Sequence, residues 1–297
     1  MYSDITKNKI KTGFIISLFI LLITLIVYYI CMAFDLGSVS IVIALIFSIA
    51  SAWSSYYFSD KIILSINKAR PATPEEDQQL VNILDALMVS SGLEHRPKLY
   101  VVEDRQPNAF ATGRNPQNSV ICVTTALLEK LDYYELEGVV AHELSHIKNY
   151  DIRLSAVVTV MVGFIVILAD FGSRMLFWSG GDRDNDNKAN PILMVIGLIC
   201  MILAPIFGQL MKLALSRRRE FLADATAVEF TRNPDGLISA LQKLEADPNQ
   251  LRNANKATEQ MFIINPFKRN RRNGKTTNIW STHPSTEDRI EALRNLK

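Results

Sequence analysis

Residues His142-Glu143-Leu144-Ser145-His146 carry the pattern H-E-x-x-H. On an α-helix, positions i and i+4 lie on one face, so both imidazoles can reach a single metal ion. The glutamate between them stands where it can take a proton from a water on that metal. Leu136, Val139, Val140, Leu144 and Ile147 supply the apolar face that would bury such a helix. The chemistry this set supports is metal-assisted hydrolysis with Glu143 as general base. A zinc hydrolase uses three protein ligands and keeps one position for water, so a third ligand must come from elsewhere in the chain.

The other candidates can be weighed residue by residue. Of the three cysteines, Cys31 and Cys200 lie inside long apolar runs and Cys122 lies in a predicted strand. His95 precedes Arg96-Pro97 and reads as a solvated loop residue. Asp151 stands five residues past His146, where the helix must turn toward an apolar run, and is expected to shape that turn. Glu220 is the strongest candidate. It lies in Arg217-Arg218-Arg219-Glu220-Phe221-Leu222-Ala223-Asp224, a helical stretch in which Asp224, one turn on, shares its face and could orient a ligating histidine from behind. Spacing alone also allows a plain solvated face whose acids pair with the arginines. Connectivity favours the ligand. If residues 154–211 form an apolar hairpin, only 147–153 and 212–219 separate His146 from Glu220. At ~1.5 Å per helical residue, His146 then stands ~12 Å and Glu220 ~13 Å from the membrane ends of that hairpin, at matching heights.

The elements that must position these residues follow from composition. The chain has 297 residues, 48% of them hydrophobic and 21% charged, with a mean hydropathy of +0.12. That balance excludes a disordered polar chain and argues against an ordinary soluble domain. A net charge of +2 excludes the concentrated basic excess of a nucleic-acid binder. Uncharged runs predict membrane spans at roughly 13–34, 37–59 and 190–211, and the shorter run Leu154 to Ala169 predicts another over 154–177 if its helix passes Asp170, which could pair with Arg174 one turn on; the spans are arranged as two hairpins. The first is too long, and too soon followed by another, to be a cleaved signal peptide. Lys7, Lys9, Lys11, Lys61, Lys68 and Arg70 flank the first hairpin, and Lys148, Arg153, Lys212, Arg217, Arg218 and Arg219 flank the second. By the positive-inside rule, both hairpins put their ends in the cytoplasm.

The predicted organisation is therefore a transmembrane hairpin over 1–60, a first part of a cytoplasmic domain over 61–153, an inserted hairpin over 154–211 and a second part over 212–297. Within the polar parts, an amphipathic helix is predicted over Ala72 to Ser91. Short strands are predicted at Lys98 to Glu103, Asn108 to Thr112 and Ser119 to Thr124. Helices are predicted at Thr125 to Leu131, Tyr134 to Asn149 and Lys212 to Glu229, with another after Asn233-Pro234-Asp235-Gly236. Glu245 to Thr282, rich in Asn, Lys and Arg, reads as a mobile or partly ordered segment. The fold class is α+β, mainly helical, with a small sheet.

In this order the motifs resemble the HtpX-type membrane metalloproteases of the M48 peptidase family, relatives of the CAAX prenyl protease. The resemblance covers nearly the whole chain. It runs through Pro107-Asn108-Ala109-Phe110-Ala111-Thr112-Gly113, Val140 to His146, Ser216 to Asp224, and Thr282-His283-Pro284-Ser285-Thr286-Glu287-Asp288-Arg289-Ile290. It implies a zincin-like protease domain with one zinc ion held by His142, His146 and Glu220, and Glu143 as base. It also implies that Asn108, Ala109, Phe110 and Ala111 form a strand edge that aligns substrate through main-chain hydrogen bonds. His283 and Arg289 could stabilise the oxyanion or could pack beside the site. The implied partners are misfolded or damaged polypeptides, membrane proteins among them, and the lipid bilayer; the implied location is a bacterial cytoplasmic membrane. Three other readings fit less well. An intramembrane zinc protease would not flank its H-E-x-x-H helix with Glu135, Glu137, Lys148 and Asp151. A zinc transporter would place ligands inside its spans, where this chain has no histidine. An inactive scaffold would be expected to have lost Glu143 or a ligand.

Overall fold

The computed structural model describes residues 2–33, 36–75, 77–179, 217–252, 258–267 and 284–296. The chain divides into two compact units. One comprises Met1–Asn8, Ser59–Ala156 and Leu215–Lys297; the other comprises Lys9–Phe58 and Val157–Ala214.

The second unit is built on long apolar helices: α1 (Tyr2–Ala33), α2 (Ser40–Ile66) and the continuation of α6 (Asp151–Ser179). Two segments are long and apolar enough to cross a bilayer, Ile10–Met32 and Gly37–Tyr57. Thr24 and Ser48 face each other across the pair and share a buried hydrogen bond of 2.7 Å, while Phe14, Leu21, Ile46 and Ile49 face outward. Phe164 of α6 packs edge-on against Phe19. The predicted third span lies within α6, which is one unbroken helix; the predicted fourth span, 190–211, lies outside the described residues.

The first unit carries a four-stranded mixed sheet. Its strands are β1 (Arg70–Pro71), β2 (Lys98–Val102), β3 (Ala109–Asn115) and β4 (Asn118–Thr124), in the order β1-β2-β4-β3. β2 runs parallel to β4, and both edge strands are antiparallel to their neighbours. The helices are α3 (Gln78–Ser91), α4 (Thr125–Lys130), α5 (Tyr133–Lys148), α7 (Arg217–Thr231), α8 (Pro234–Ala246) and α9 (Thr286–Arg294). α5 is the hub. It packs on α3, β3, β4, α7 and α8. Its Leu136, Val139, Val140, Leu144 and Ile147 are fully buried, each contributing about 1.5–3 kcal/mol of burial free energy.

The start of α5 is fixed by a reciprocal cap. Glu135 N–H donates to Asp132 Oδ1 at 3.0 Å, and Asp132 N–H donates to Glu135 Oε2 at 2.9 Å. Ser239 and Lys243 of α8 also donate to the Glu135 carboxylate, each at 2.6 Å. The two helices cross at backbone contact: a Cβ on Gly138 would lie 2.8 Å from Leu237 N, and one on Gly236 2.5 Å from Tyr134 O. Only glycine fits at either position.

Two expectations change. The helix expected from Ala72 begins only at Gln78. Asp77 is buried, and its Oδ2 accepts from Thr73 N–H (3.0 Å) and Arg70 Nη1 (3.1 Å), so the preceding residues form a side-chain-clamped turn after a two-residue strand. The segment expected to be mobile or partly ordered over 245–282 is ordered in part and holds a core piece. Met261, Phe262, Ile263 and Ile264 are buried, Arg252 N–H donates to Asp104 Oδ2 at 2.9 Å, and Asn249 O accepts from Gln106 Nε2 at 3.2 Å. The apolar run Met261-Phe262-Ile263-Ile264 was the signal for it in an otherwise polar stretch.

Candidate metal centre

α5 presents His142 and His146 on one face, and α7 brings Glu220 against them. His142 Nε2 and His146 Nε2 are 3.2 Å apart; Glu220 Oε2 lies 3.8 Å from the first and Oε1 3.6 Å from the second. All three ligand atoms fall within 4.8 Å of one another. Two nitrogens bound at ~2.0–2.1 Å to a tetrahedral metal stand about 3.3 Å apart, so the spacing suits one ion.

Each histidine is held from behind by a carboxylate. His142 Nδ1 lies 2.9 Å from Asp224 Oδ1, and His146 Nδ1 lies 3.1 Å from Asp151 Oδ2. Donation from each Nδ1–H leaves both Nε2 lone pairs facing each other and the Glu220 oxygens. Such a convergence of electron pairs in a buried site calls for a positive charge between them, and two imidazoles facing a carboxylate are a donor set that fits a metal. The electrostatics agree. Burial, with the nearby Arg289 guanidinium, holds His142 below the usual imidazole range and so neutral. Burial also opposes charge on His146, yet the carboxylates of Asp151, Glu220 and Glu143 outweigh it and push its pKa up to about 9. This acid cluster draws positive charge toward itself.

Glu143 is buried beside the ligands. Burial pushes its carboxyl up to about 7; His146 opposes the shift, Glu220 adds to it, and a hydrogen bond from the Ala111 backbone lowers it slightly. A small cavity of ≈ 30 Å³ opens onto the site, with room for one or two waters. Ala111, Glu143, Asp151, Arg219, Gln260 and Phe262 are among its walls.

The remaining predicted residues fall into place unevenly. Asp224 lies behind His142, one turn past Glu220. Arg289 stands behind Asp224, is buried, and does not line the cavity. Its Nε and Nη2 donate to the two Asp224 oxygens at 2.8 and 2.6 Å, and Nη1 donates to Ile263 O at 3.1 Å. Burial would work against each charge, but the pair holds Asp224 below and Arg289 above its ordinary range. His283 lies outside the described residues.

β3 is an edge strand, but the edge is not open along Asn108 to Phe110. Ile263 N–H donates to Ala109 O at 2.9 Å, and Phe262 bridges Phe110 with rings 5.1 Å apart. The buried Asn108 amide donates to Ile264 O at 3.0 Å. At the far end, Arg114 O accepts from Arg153 Nε at 2.6 Å. The stretch Ala111 to Gly113 lies between these clasps. The run Asn108-Ala109-Phe110 was expected to meet substrate; it is covered because Phe262–Ile264 completes the sheet there.

Asp151 was expected only to shape a turn. The chain does turn there, with Tyr150 at φ 59, and that turn swings Asp151 back onto His146. Its other oxygen meets Arg219 Nη1 at 3.2 Å. Gln260 was also missed: it walls the cavity, and its Oε1 is buried without a partner among the described residues.

Comparison with known proteins agrees with this geometry. Residues 74–297 match the model of "Peptidase family M48". The "Protease HtpX homolog" of Dictyoglomus thermophilum is 44% identical over 295 residues, covering 99% of this chain and 94% of that one. That of Ligilactobacillus salivarius is 39% identical over the full length of both. Among solved structures, the crystal structure of S. mikatae Ste24p has a similar fold (TM-score 0.50, 19% identity), covering 99% of this chain and 67% of that one. The family match and these relatives, over nearly the whole chain and with a histidine pair on α5 facing a glutamate on α7, make the protein a metalloprotease: the chain belongs to peptidase family M48.

Proposed function

We propose that the protein is a multi-pass membrane zinc endopeptidase that cleaves misfolded or damaged membrane proteins on the cytoplasmic side of a bacterial inner membrane. The observation that carries this reading is the convergence of His142 Nε2, His146 Nε2 and Glu220 on one point with Glu143 buried beside it. Two imidazoles and a carboxylate suit zinc. When bound there, zinc would polarise a water and the peptide carbonyl.

The chain's own residues do the rest. Asp224 and Asp151 orient the two imidazoles, and Arg289 holds Asp224. Glu143 takes a proton from the attacking water and passes it to the leaving amine nitrogen. The edge from Ala111 to Gly113 pairs with an extended peptide backbone, which selects extended chain more than side chain and suits an enzyme for unfolded substrates. The four spans at 13–34, 37–59, 154–177 and 190–211 hold this domain, split as 61–153 and 212–297, against the bilayer, with both termini cytoplasmic. The test is bound zinc together with degradation of an unfolded membrane protein. Wild type should carry zinc and cleave; Glu143→Gln should carry zinc and cleave ~10²–10⁴-fold more slowly. An equal rate from the two proteins would end the reading.

A further inference from the structure

Two guanidiniums lie near the ligands, and they are used differently. Arg289, buried, donates to Asp224 and to Ile263 O, with its Nη1 3.9 Å from Glu220 Oε2, and it is not among the walls of the cavity. Arg219 lines the cavity with Glu143, His146 and Glu220. Its Nη1 is held by Asp151 Oδ1 at 3.2 Å, and the other Asp151 oxygen holds His146. Its Nη2 is buried and has no hydrogen-bond partner among the described residues. A charged donor out of water without an acceptor is rare in a folded protein, and in the wall of a reaction cavity it is poised for a ligand. The ligand must supply an acceptor oxygen and gain from a fixed positive charge.

We propose that Arg219 is a catalytic residue, whose Nη2–H donates to the oxygen of the scissile carbonyl as that oxygen gains charge, while Nη1 keeps Asp151, and through it His146, in place. The inference rests on the peptidase reading above. In the reaction, the water oxygen bonds to the carbonyl carbon and the C=O π pair moves onto the carbonyl oxygen. The C–N bond then breaks, and the proton taken by Glu143 goes to the amine. Arg219 gives up no proton; a guanidinium stays charged and contributes only a donor aimed at developing charge. One side chain thereby serves two tasks, one nitrogen for each.

Arg219→Lys separates the two tasks, since an ammonium can still meet Asp151 but offers no second fixed nitrogen. The full-length enzyme in detergent is the sample. Expected for Arg219→Lys are wild-type zinc affinity, an unchanged visible spectrum of the cobalt-loaded protein, and kcat on a quenched fluorescent peptide lower by ~10²-fold with KM little moved. Affinity for a peptide phosphonate, which mimics the charged oxygen, should weaken in parallel, while affinity for the product peptide should hold. Guanidinium ion added to Arg219→Ala should restore part of the rate. A wild-type kcat in Arg219→Lys would overturn the proposal. So would a rate loss matched by zinc loss and a shifted cobalt spectrum, because Arg219 would then only support His146. Failure of the peptidase reading would look different: Glu143→Gln would be as active as wild type, or His146→Ala would cleave without bound metal.

Discussion

The metal site is braced twice by the same chemistry, a histidine backed by a carboxylate backed by an arginine, and the two braces differ in how far they are sealed. In His142–Asp224–Arg289 the side chains are 1%, 2% and 2% exposed. In His146–Asp151–Arg219 they are 16%, 7% and 14% exposed. The first joins three helices, α5, α7 and α9, and ties in Ile263 as well. The second joins the end of α5 to the first turns of α6 and α7. The first has its guanidinium fully engaged, whereas the second, a wall of the cavity, leaves one nitrogen without a hydrogen-bond partner among the described residues. A sealed brace fixes geometry; a brace at the cavity wall can also meet what enters.

The largest effect should come from the residue both braces share as a neighbour. Glu220→Ala removes the only anionic member of the ligand set, and zinc affinity, measured against a chromophoric chelator, should fall by more than the ~10–100-fold expected for losing either Asp224 or Asp151. If Glu220→Ala stayed loaded while Asp151→Ala emptied, the assignment of ligand and brace would be reversed.

Next is stability. Arg289→Met strands the buried Asp224 carboxylate and should destabilise the fold by about 3–5 kcal/mol. Arg219→Gln, in the more exposed brace, should destabilise less than Arg289→Met, because water reaches part of the pair and Asp151 keeps His146 as a partner. Thermal unfolding of the two variants side by side checks this, and equal shifts would erase the distinction.

Glu143 gives a prediction of opposite sign. Its folded pKa, about 7, lies above the ordinary 4.5, so the metal-free protein is penalised for ionising it. The penalty is absent below the unfolded pKa, grows between the two values and is complete above the folded one. Glu143→Gln should therefore stabilise the metal-free protein at pH 8 by up to about 3 kcal/mol, with no gain at pH 4. No difference between pH 4 and pH 8 would mean that the carboxylate is not held at this cost.

The smallest effect concerns Asp151→Asn, which keeps an acceptor but loses charge. Zinc affinity should drop toward the lower end of ~10–100-fold, and less than in Asp224→Asn, because partial exposure screens the lost charge. A larger loss at Asp151 would make the open brace the stronger one.

How much of this was readable without coordinates follows the same division. His142, Glu143, His146, Glu220 and Asp224 are related by helical spacing or by removing an insert, and all five come together. Asp151 was misjudged for a geometric reason. On a continued helix, five residues would carry it off the His146 face, and only the left-handed Tyr150 brings it back. Arg289 is 65 residues from Asp224, and nothing local points from one to the other. The glycine pair at the α5–α8 crossing was equally silent, since a Gly in a helix says little until its neighbour is known. β2, β3 and β4 were legible as short runs between turn residues, whereas the two-residue β1 was not. The buried Met261–Ile264 piece was hidden by its polar surroundings.

The clasped edge of β3 has one more consequence. A strand edge that accepts any extended chain also accepts its own kind, and a long exposed edge is the usual nucleus of sheet-to-sheet aggregation. Here Phe262–Ile264 covers one end, and Arg153 holds Arg114 O at the other, leaving only Ala111 to Gly113 between. That window is shorter than the six- or seven-residue segments that template fibrils. The stretch left between the two clasps is thus too short for a second copy of the chain to grow on.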